Sequence, residues 1–239
     1  MTSSFRTLTL SPDTLNNLDQ LGYAEMTPIQ AASLPLALAG QDVIAQASTG
    51  SGKTAAFGLP LVEKLTANFH AVQALVLCPT RELADQVTTE IRRLARATAN
   101  IKVVTLCGGV ALRGQRASLE NGAHIVVGTP GRIMDHLSRG TLTLEALSTL
   151  VLDEADRMLD MGFLEDITTV VKQCPPERQT LLFSATYPEG IEKLAKQFMR
   201  EPKMTKVEST AATTQIEQRF YEVTRPTRFE TVARLLNHF

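Results

Sequence analysis

Neither sign of charge prevails in this sequence. With 24 basic residues against 25 acidic ones the net charge is −1, so no global positive field advertises a polyanionic partner. Any nucleic-acid contact must come from local sites. Cysteine is scarce: Cys78, Cys107 and Cys174 are odd in number, widely spaced and free of any C-x-x-C pattern. That argues against a disulfide framework and against zinc, and fits a reducing cytosol. Cys78 and Cys107 end apolar runs and read as buried small hydrophobes. The four histidines are scattered and form no ligand pair. No apolar stretch approaches the roughly 20 residues that a bilayer span requires, and Met1–Leu10 lacks a signal-peptide core. There are no repeats and no low-complexity tract. These absences predict a soluble, cytoplasmic chain with no membrane partner.

What is present suits one substantial core: 239 residues, 44% of them hydrophobic. Short runs rich in β-branched residues recur at Asp42–Gln46, Ala74–Cys78, Lys102–Leu106, His124–Val127, Thr149–Asp153 and Gln179–Phe183. Several are continuous rather than alternating, as strands buried on both faces are. Helical stripes lie between them, such as Leu83, Val87, Ile91 and Leu94, or Leu59, Val62 and Leu65. Alternating strands and helices predict an α/β fold with a mostly parallel sheet covered by helices on both faces. Near Glu208 the composition turns small and polar. The pattern predicts a first domain over 1–208, a linker over 209–217 and the opening of a second domain over 218–239. That second part holds a strand-like run, Gln218–Val223, and a helical run, Arg228–Phe239.

Ala47-Ser48-Thr49-Gly50-Ser51-Gly52-Lys53-Thr54 has the spacing of a P-loop, with Ala in place of the first Gly. A strand precedes it and a helical pattern follows, as the chemistry requires. Glycines let the backbone wrap an anion, and the N–H groups opening the helix face phosphate. Lys53 then meets the β and γ phosphates of ATP, and the Thr54 hydroxyl ligates magnesium. The bland alternative is a Gly-rich strand–helix turn with no ligand. A second strand, Leu150–Leu152, ends in Asp153 and Glu154. Asp153 suits the magnesium, partly through water, and Glu154 suits the attacking water as general base. An isolated acid in that position would merely cap the following helix.

Asp153-Glu154-Ala155-Asp156 spells DEAD, and with the P-loop it resembles the DEAD-box RNA helicases. Other segments match that family in order. Gly22-Tyr23 with Thr27-Pro28-Ile29-Gln30 looks like its adenine-reading Q motif, with Phe5 as the upstream aromatic. Pro79-Thr80-Arg81, Gly108-Gly109 and Thr129-Pro130-Gly131-Arg132 look like its RNA-backbone motifs. Ser184-Ala185-Thr186 looks like the motif coupling ATP to strand separation, through a hydrogen-bonded link to Asp156. The resemblance implies a RecA-like P-loop NTPase domain using ATP and Mg2+ and gripping RNA by its backbone, with ribosomal RNA in large-subunit assembly as the target. It also implies a second RecA-like domain bearing arginine-rich motifs and a C-terminal RNA-binding module, neither of which is matched after Val223.

Each segment has a plainer reading beside the functional one. Thr27-Pro28-Ile29-Gln30 is a complete helix start, with Thr27 as N-cap and Gln30 closing a capping box. Thr80 and Thr129 are good N-caps, which is compatible with helix N-termini that hold phosphate. Arg81 and Arg132 would add charge-assisted contacts, and Gly109 would let RNA approach closely. Ser184 and Thr186 could simply satisfy loop backbone. Three functions remain open: an RNA helicase represented by its ATP-binding half, a P-loop ATPase acting on DNA or protein, and a module that holds ATP or RNA without turnover.

If the Gln30 amide reads the adenine edge while Tyr23 packs on the base, Gln30→Ala should weaken ATP binding and relax discrimination against GTP. A nucleotide-competition titration with unchanged selectivity would count against that role.

Overall fold

The apolar runs form strands because each is covered on both sides. The computed structural model describes residues 4–207 and 219–238, and the chain divides into two units, Met1–Glu208 and Ser209–Phe239. In the first unit the elements run α1 (Pro12–Gln20), α2 (Pro28–Leu38), β1 (Val43–Gln46), α3 (Lys53–Lys64), β2 (Ala74–Leu77), α4 (Arg81–Leu94), β3 (Val103–Leu106), α5 (Leu112–Glu120), β4 (Ile125–Gly128) and α6 (Pro130–Ser138). There follow β5 (Thr149–Leu152), α7 (Ala155–Asp160), α8 (Leu164–Lys172), β6 (Gln179–Ser184), α9 (Glu189–Phe198) and β7 (Lys203–Lys206). The strands make one sheet in the order β3-β4-β2-β5-β6-β1-β7, and every pairing is parallel.

Side chains alternate between the faces of the pleat, and the core divides accordingly. Ile44, Leu75, Leu77, Val126, Leu150 and Leu182 pack on one face with Ile133 of α6, Met158 of α7, Ile167 of α8 and Leu194 of α9. Val43, Ala45, Val76, Ile125, Val151 and Phe183 pack on the other with Ile29 of α2, Phe57 of α3, and Val87 and Ile91 of α4. The result is a three-layer α/β sandwich. Behind α3 a third cluster joins Leu59 and Val62 to Phe5, Leu18, Leu34 and Leu94. Leu83 of the helical stripe is only half-buried, whereas Val87, Ile91 and Leu94 are fully covered. All three cysteines are buried and free, and burial pushes their thiols up, which keeps them unreactive.

Two details differ from the sequence reading. Strand β7 carries no apolar run: Lys203-Met204-Thr205-Lys206 is mostly exposed and pairs only with β1, so its polarity is that of a sheet edge. In the second unit, the described part of the strand-like run (219–223) forms no strand. A lone strand has no ladder partner for its N–H and C=O groups, and α10 (Arg228–His238) is the regular element found there. The expected linker over 209–217 lies outside the described residues. No helix among the described residues is long and apolar enough to cross a membrane.

Gly128, opposite Leu106 in the β3–β4 pairing, has no room for a side chain. A Cβ there would overlap the Leu106 carbonyl oxygen and press on Ile133 at 2.9 Å. Gly114 in exposed α5 would meet nothing within 4 Å. Gly128→Ala should therefore cost about 1–3 kcal/mol or more, and Gly114→Ala should be neutral or stabilising by up to about 1 kcal/mol. Urea midpoints for the two variants give the check: equal shifts would mean the β3–β4 contact is not rigid.

Candidate nucleotide site and nucleic-acid face

Parallel strands bring all their carboxyl ends to one edge, where ligands bind in open α/β sheets. Along the sheet the order of functional loops follows the strand order. The loops after β3, β4 and β2 carry Gly108-Gly109, Thr129–Arg132 and Pro79–Arg81. Those after β5, β6 and β1 carry Asp153–Asp156, Ser184–Thr186 and the Gly-rich loop. Backbone bonds pin the loop bases to neighbouring strands: Cys78 N to Gly128 O (2.9 Å), Asp153 N to Leu77 O (3.0 Å), Ala47 N to Ser184 O (3.0 Å) and Thr129 N to Leu106 O (3.1 Å).

In the Gly-rich loop, Gly50 and Gly52 take φ of 81° and 89°. Ser51 N and Ser51 Oγ both donate to Ser48 O, which closes the turn. Lys53 Nζ donates across the loop to Ala47 O at 3.3 Å. Lys53 and Asp153 are 7% and 2% exposed, so two opposite charges share a site with little water. Burial pushes the Asp153 carboxyl up to about 6, against the pull of Lys53 and with a further push from Glu154. Its Oδ1 accepts from Glu154 N at 3.0 Å. Glu154 opens α7 in the left-handed region, φ 49° and ψ 51°, at a cost of about 1–2 kcal/mol for a residue with a Cβ. Strain of that kind concentrates at functional sites. The Glu154 carboxylate accepts from Thr49 Oγ1 (3.3 Å) and Arg157 Nη1 (3.2 Å).

The capping box at α2 is fully formed. Thr27 N donates to Gln30 Oε1 at 2.9 Å and Gln30 N to Thr27 Oγ1 at 3.5 Å. The same amide reaches further, since Gln30 Nε2 donates to Gly52 O at 3.0 Å. A Cβ on Gly52 would lie 2.5 Å from that Nε2 and 3.2 Å from Thr27 Oγ1. The two segments are thus locked together. Tyr23 donates its phenolic hydrogen to Glu90 of α4, and burial followed by Glu90 raises its pKa well above the usual phenol value. Phe5 meets Tyr23 edge-on, centroids 5.9 Å apart, but is itself buried in the third cluster. Tyr23, Gln30, Gly52, Lys53, Thr54, Asp153 and Glu154 line one cleft of about 810 Å³, with Leu83, Gln86, Glu90 and Arg93 of α4 on its far wall. Phe5, Ala47, Ser48 and Ser51 do not line it.

Asp156 joins the loops after β5 and β6. Its Oδ2 accepts from both Thr186 N and Thr186 Oγ1 at 2.9 Å, and its backbone N donates to Ser184 Oγ at 3.3 Å. Burial pulls this carboxyl up, but the bonds from Thr186, Ser184 and Arg157 outweigh it and hold the group below the ordinary aspartate value.

On the other half of the edge, Thr80 Oγ1 caps α4 by accepting from Leu83 N at 3.3 Å, and Pro79 precedes it. Thr129 holds the N-cap position of α6, with Pro130 first in the helix, yet its hydroxyl makes no capping bond. Gly109 has φ 74°, and the space of its missing side chain is filled by the Arg81 guanidinium. The glycine therefore makes room for the end of the exposed Arg81 side chain. Arg81 is exposed and Arg132 is not: the side chain of Arg132 is 14% exposed, with Nη1 donating to Val110 O (3.0 Å) and Gln115 Oε1 (2.8 Å).

A family model described as DEAD/DEAH box helicase matches residues 27–194. The chain belongs to the DEAD/DEAH box helicase family. The ATP-dependent RNA helicase DbpA of Escherichia coli is 55% identical over 236 residues, 98% of this chain and 52% of that protein. The DEAD-box ATP-dependent RNA helicase CshA of Geobacillus kaustophilus is 48% identical over 98% of this chain and 50% of its own. Among solved structures, a DEAD box protein from the hyperthermophile Methanococcus jannaschii superposes with a TM-score of 0.83 at 43% identity, over 99% of this chain and 63% of that one. The chain spans about half the length of the curated relatives it matches. Within this DEAD-box domain, Phe5 and Tyr23 lie upstream of the matched span, whereas the Gly-rich loop and Ser184–Thr186 lie inside it. Sequence reasoning had Leu83 only in the apolar stripe and did not foresee that it lines the cleft with Gln86, Glu90 and Arg93. Their 3-4-3 spacing puts them on one face of α4, and that spacing was the available signal.

The Asp156–Thr186 link predicts a coupling of about 0.5–3 kcal/mol in a double-mutant cycle of Asp156→Asn and Thr186→Val, read from urea unfolding. Because the carboxyl sits below its unfolded value, its contribution is complete at neutral pH and fades as pH falls through the folded pKa. Asp156→Asn should therefore lose less stability on acidification than the unaltered protein. Additive losses, or an unchanged acid limb, would show that the link carries no energy.

Proposed function

We propose that this chain is the ATP-binding half of an ATP-dependent RNA helicase, an RNA-stimulated ATPase that separates short RNA duplexes. The observation that carries this reading is the sheet edge itself. One half gathers the Gly-rich loop, Asp153 and Glu154 around a single cleft, with Asp156–Thr186 tying its β5 and β6 loops together, and the other half holds Arg81, Gly109 and the α6 N-terminus. Backbone N–H groups of residues 50–54 and Lys53 hold the triphosphate. The donor set suits magnesium, which needs only one or two carboxylates besides phosphate oxygens: Asp153 offers a buried carboxylate and Thr54 a hydroxyl. When bound, the ion neutralises charge on the β and γ phosphates. Water attacks the γ phosphorus, the bond to the β–γ bridging oxygen breaks, and the water proton passes to Glu154, leaving ADP and phosphate. In this reading Tyr23 packs on the base, and the Gln30 amide reads its edge with the one N–H and the one lone pair not used on Gly52 O and Thr27 N.

RNA is gripped through phosphate and ribose, which reads no bases, and the 2′-hydroxyl separates RNA from DNA. The likeness to the ATP-dependent RNA helicases DbpA and CshA supports RNA as the substrate, and we propose ribosomal RNA as the preferred target and the cytoplasm as the setting. Arginines that complete the ATP site come from a second RecA-like domain. Such groups are worth roughly 10³–10⁵ in rate, so residues 1–239 alone should turn over slowly.

In the intact protein, ATP hydrolysis should rise with RNA and not with DNA of the same sequence. Glu154→Gln should keep ATP and RNA binding and lower hydrolysis by about 10²–10⁴, measured as phosphate release at steady state. Equal stimulation by DNA would favour a general P-loop ATPase, and undiminished turnover by the variant would move the general base elsewhere.

A further inference from the structure

Gln115 is a polar side chain that belongs to no recognised motif, yet it is 7% exposed and uses both ends of its amide. It lies on α5, between the segments assigned to RNA. Its Nε2 donates to Cys107 O at 2.8 Å, at the root of the Gly108-Gly109 turn. That fixes Oε1 as the acceptor on the other side, where Arg132 Nη1 donates at 2.8 Å and His136 Nε2 lies at 3.1 Å. Arg132 Nη1 also donates to Val110 O at 3.0 Å, on the far side of the same turn. Because Oε1 can only accept, His136 must carry its hydrogen on Nε2, and its Nδ1 accepts from Thr141 Oγ1 at 2.8 Å. Burial, then the neighbouring Arg132, hold His136 below the ordinary imidazole pKa, which agrees with a neutral ring.

We propose that Gln115 is the positioning residue of the nucleic-acid face, setting the Gly108–Val110 turn and the Arg132 guanidinium in one register. The proposal rests on the RNA-face reading given above. Its chemistry is specific to an amide: one end must donate to a carbonyl while the other accepts from a guanidinium and an imidazole. A carboxylate would keep the second task and fail the first, and an apolar chain of the same length would fail both. With Nη1 spent on Val110 and Gln115 and Nε 3.9 Å from Asp135 Oδ2, Nη2 of Arg132 has neither a hydrogen bond nor an ion pair among the described residues and is the donor best placed for a phosphate. No atom of this network lines the nucleotide cleft.

The test uses the intact protein with a fluorescein-labelled single-stranded oligouridylate, read by anisotropy across a salt series, beside ATP affinity by calorimetry. Gln115→Met should weaken RNA binding about tenfold or more, equivalent to roughly 1.4 kcal/mol. ATP affinity should be unchanged. The slope of log affinity against log salt should fall by about 0.7, the loss of one phosphate contact to a single strand. Gln115→Glu, which keeps the Arg132 acceptor, should recover the slope and part of the affinity. Arg132→Met should reproduce the Gln115→Met effect, and the double variant should add little. If Arg132→Met leaves RNA binding and slope intact, the RNA-face reading fails. If Arg132→Met weakens binding while Gln115→Met does not, the positioning role fails alone. If Gln115→Met lowers ATP and RNA affinity together with thermal stability, the residue is merely structural and the proposal is overturned.

Discussion

Both faces of the sheet are covered by helices, so polar chemistry has little room except at the strand ends. Hydrogen-bonded parallel strands cannot alternate direction, and all carboxyl ends fall on one edge. Everything functional in this domain follows from that constraint. The Gly-rich loop, the acidic pair, the hydroxyl-bearing loop and the arginines of the opposite half are neighbours because their strands are. Strand order then decides which loops can speak to each other. β6 lies between β5 and β1, so the Ser184–Thr186 loop is the natural bridge from the acidic pair to the Gly-rich loop, and Asp156 meets it there.

Polar groups in this domain are seldom left to one task. The Gln30 amide closes a helix cap and fastens the Gly-rich loop at Gly52. Asp42 accepts from Thr180 N and Arg200 N at once, tying β6 to the segment before β7. Arg92 of α4 donates to Val103 O, which occupies part of the otherwise open β3 edge. Such double use keeps buried donors and acceptors satisfied, and it makes these residues less replaceable than their individual bonds suggest.

How much of this was legible in the sequence depended on whether a signal was local. The inner strands announced themselves as continuous apolar runs, and the Gly-rich loop, the Asp153–Asp156 run and Thr27–Gln30 carry their meaning within a few residues. β7 did not, because an edge strand with lysines at both ends has neither an apolar run nor a clean alternation. Thr129 was identified as a helix cap, but its hydroxyl makes no capping bond, and the Arg81 side chain beside Gly109 could not be foreseen. A glycine says that a side chain will not fit, not whose atoms are in the way, and a threonine before proline marks a helix start without saying where its hydroxyl points. Gln115 was invisible for a deeper reason. It is an ordinary polar residue on an amphipathic helix, and its importance lies in partners brought close only by folding.

The contact between Gly52 and Gln30 also bears on how such a domain can change over time or be rebuilt by hand. A side chain at Gly52 would need both a left-handed backbone and the space that the Gln30 amide fills, so Gly52 cannot be altered alone. A rebuilt loop with any other residue at position 52 would need residues 27–30 to change with it. The two segments are separate words in the sequence but one mechanical unit in the fold.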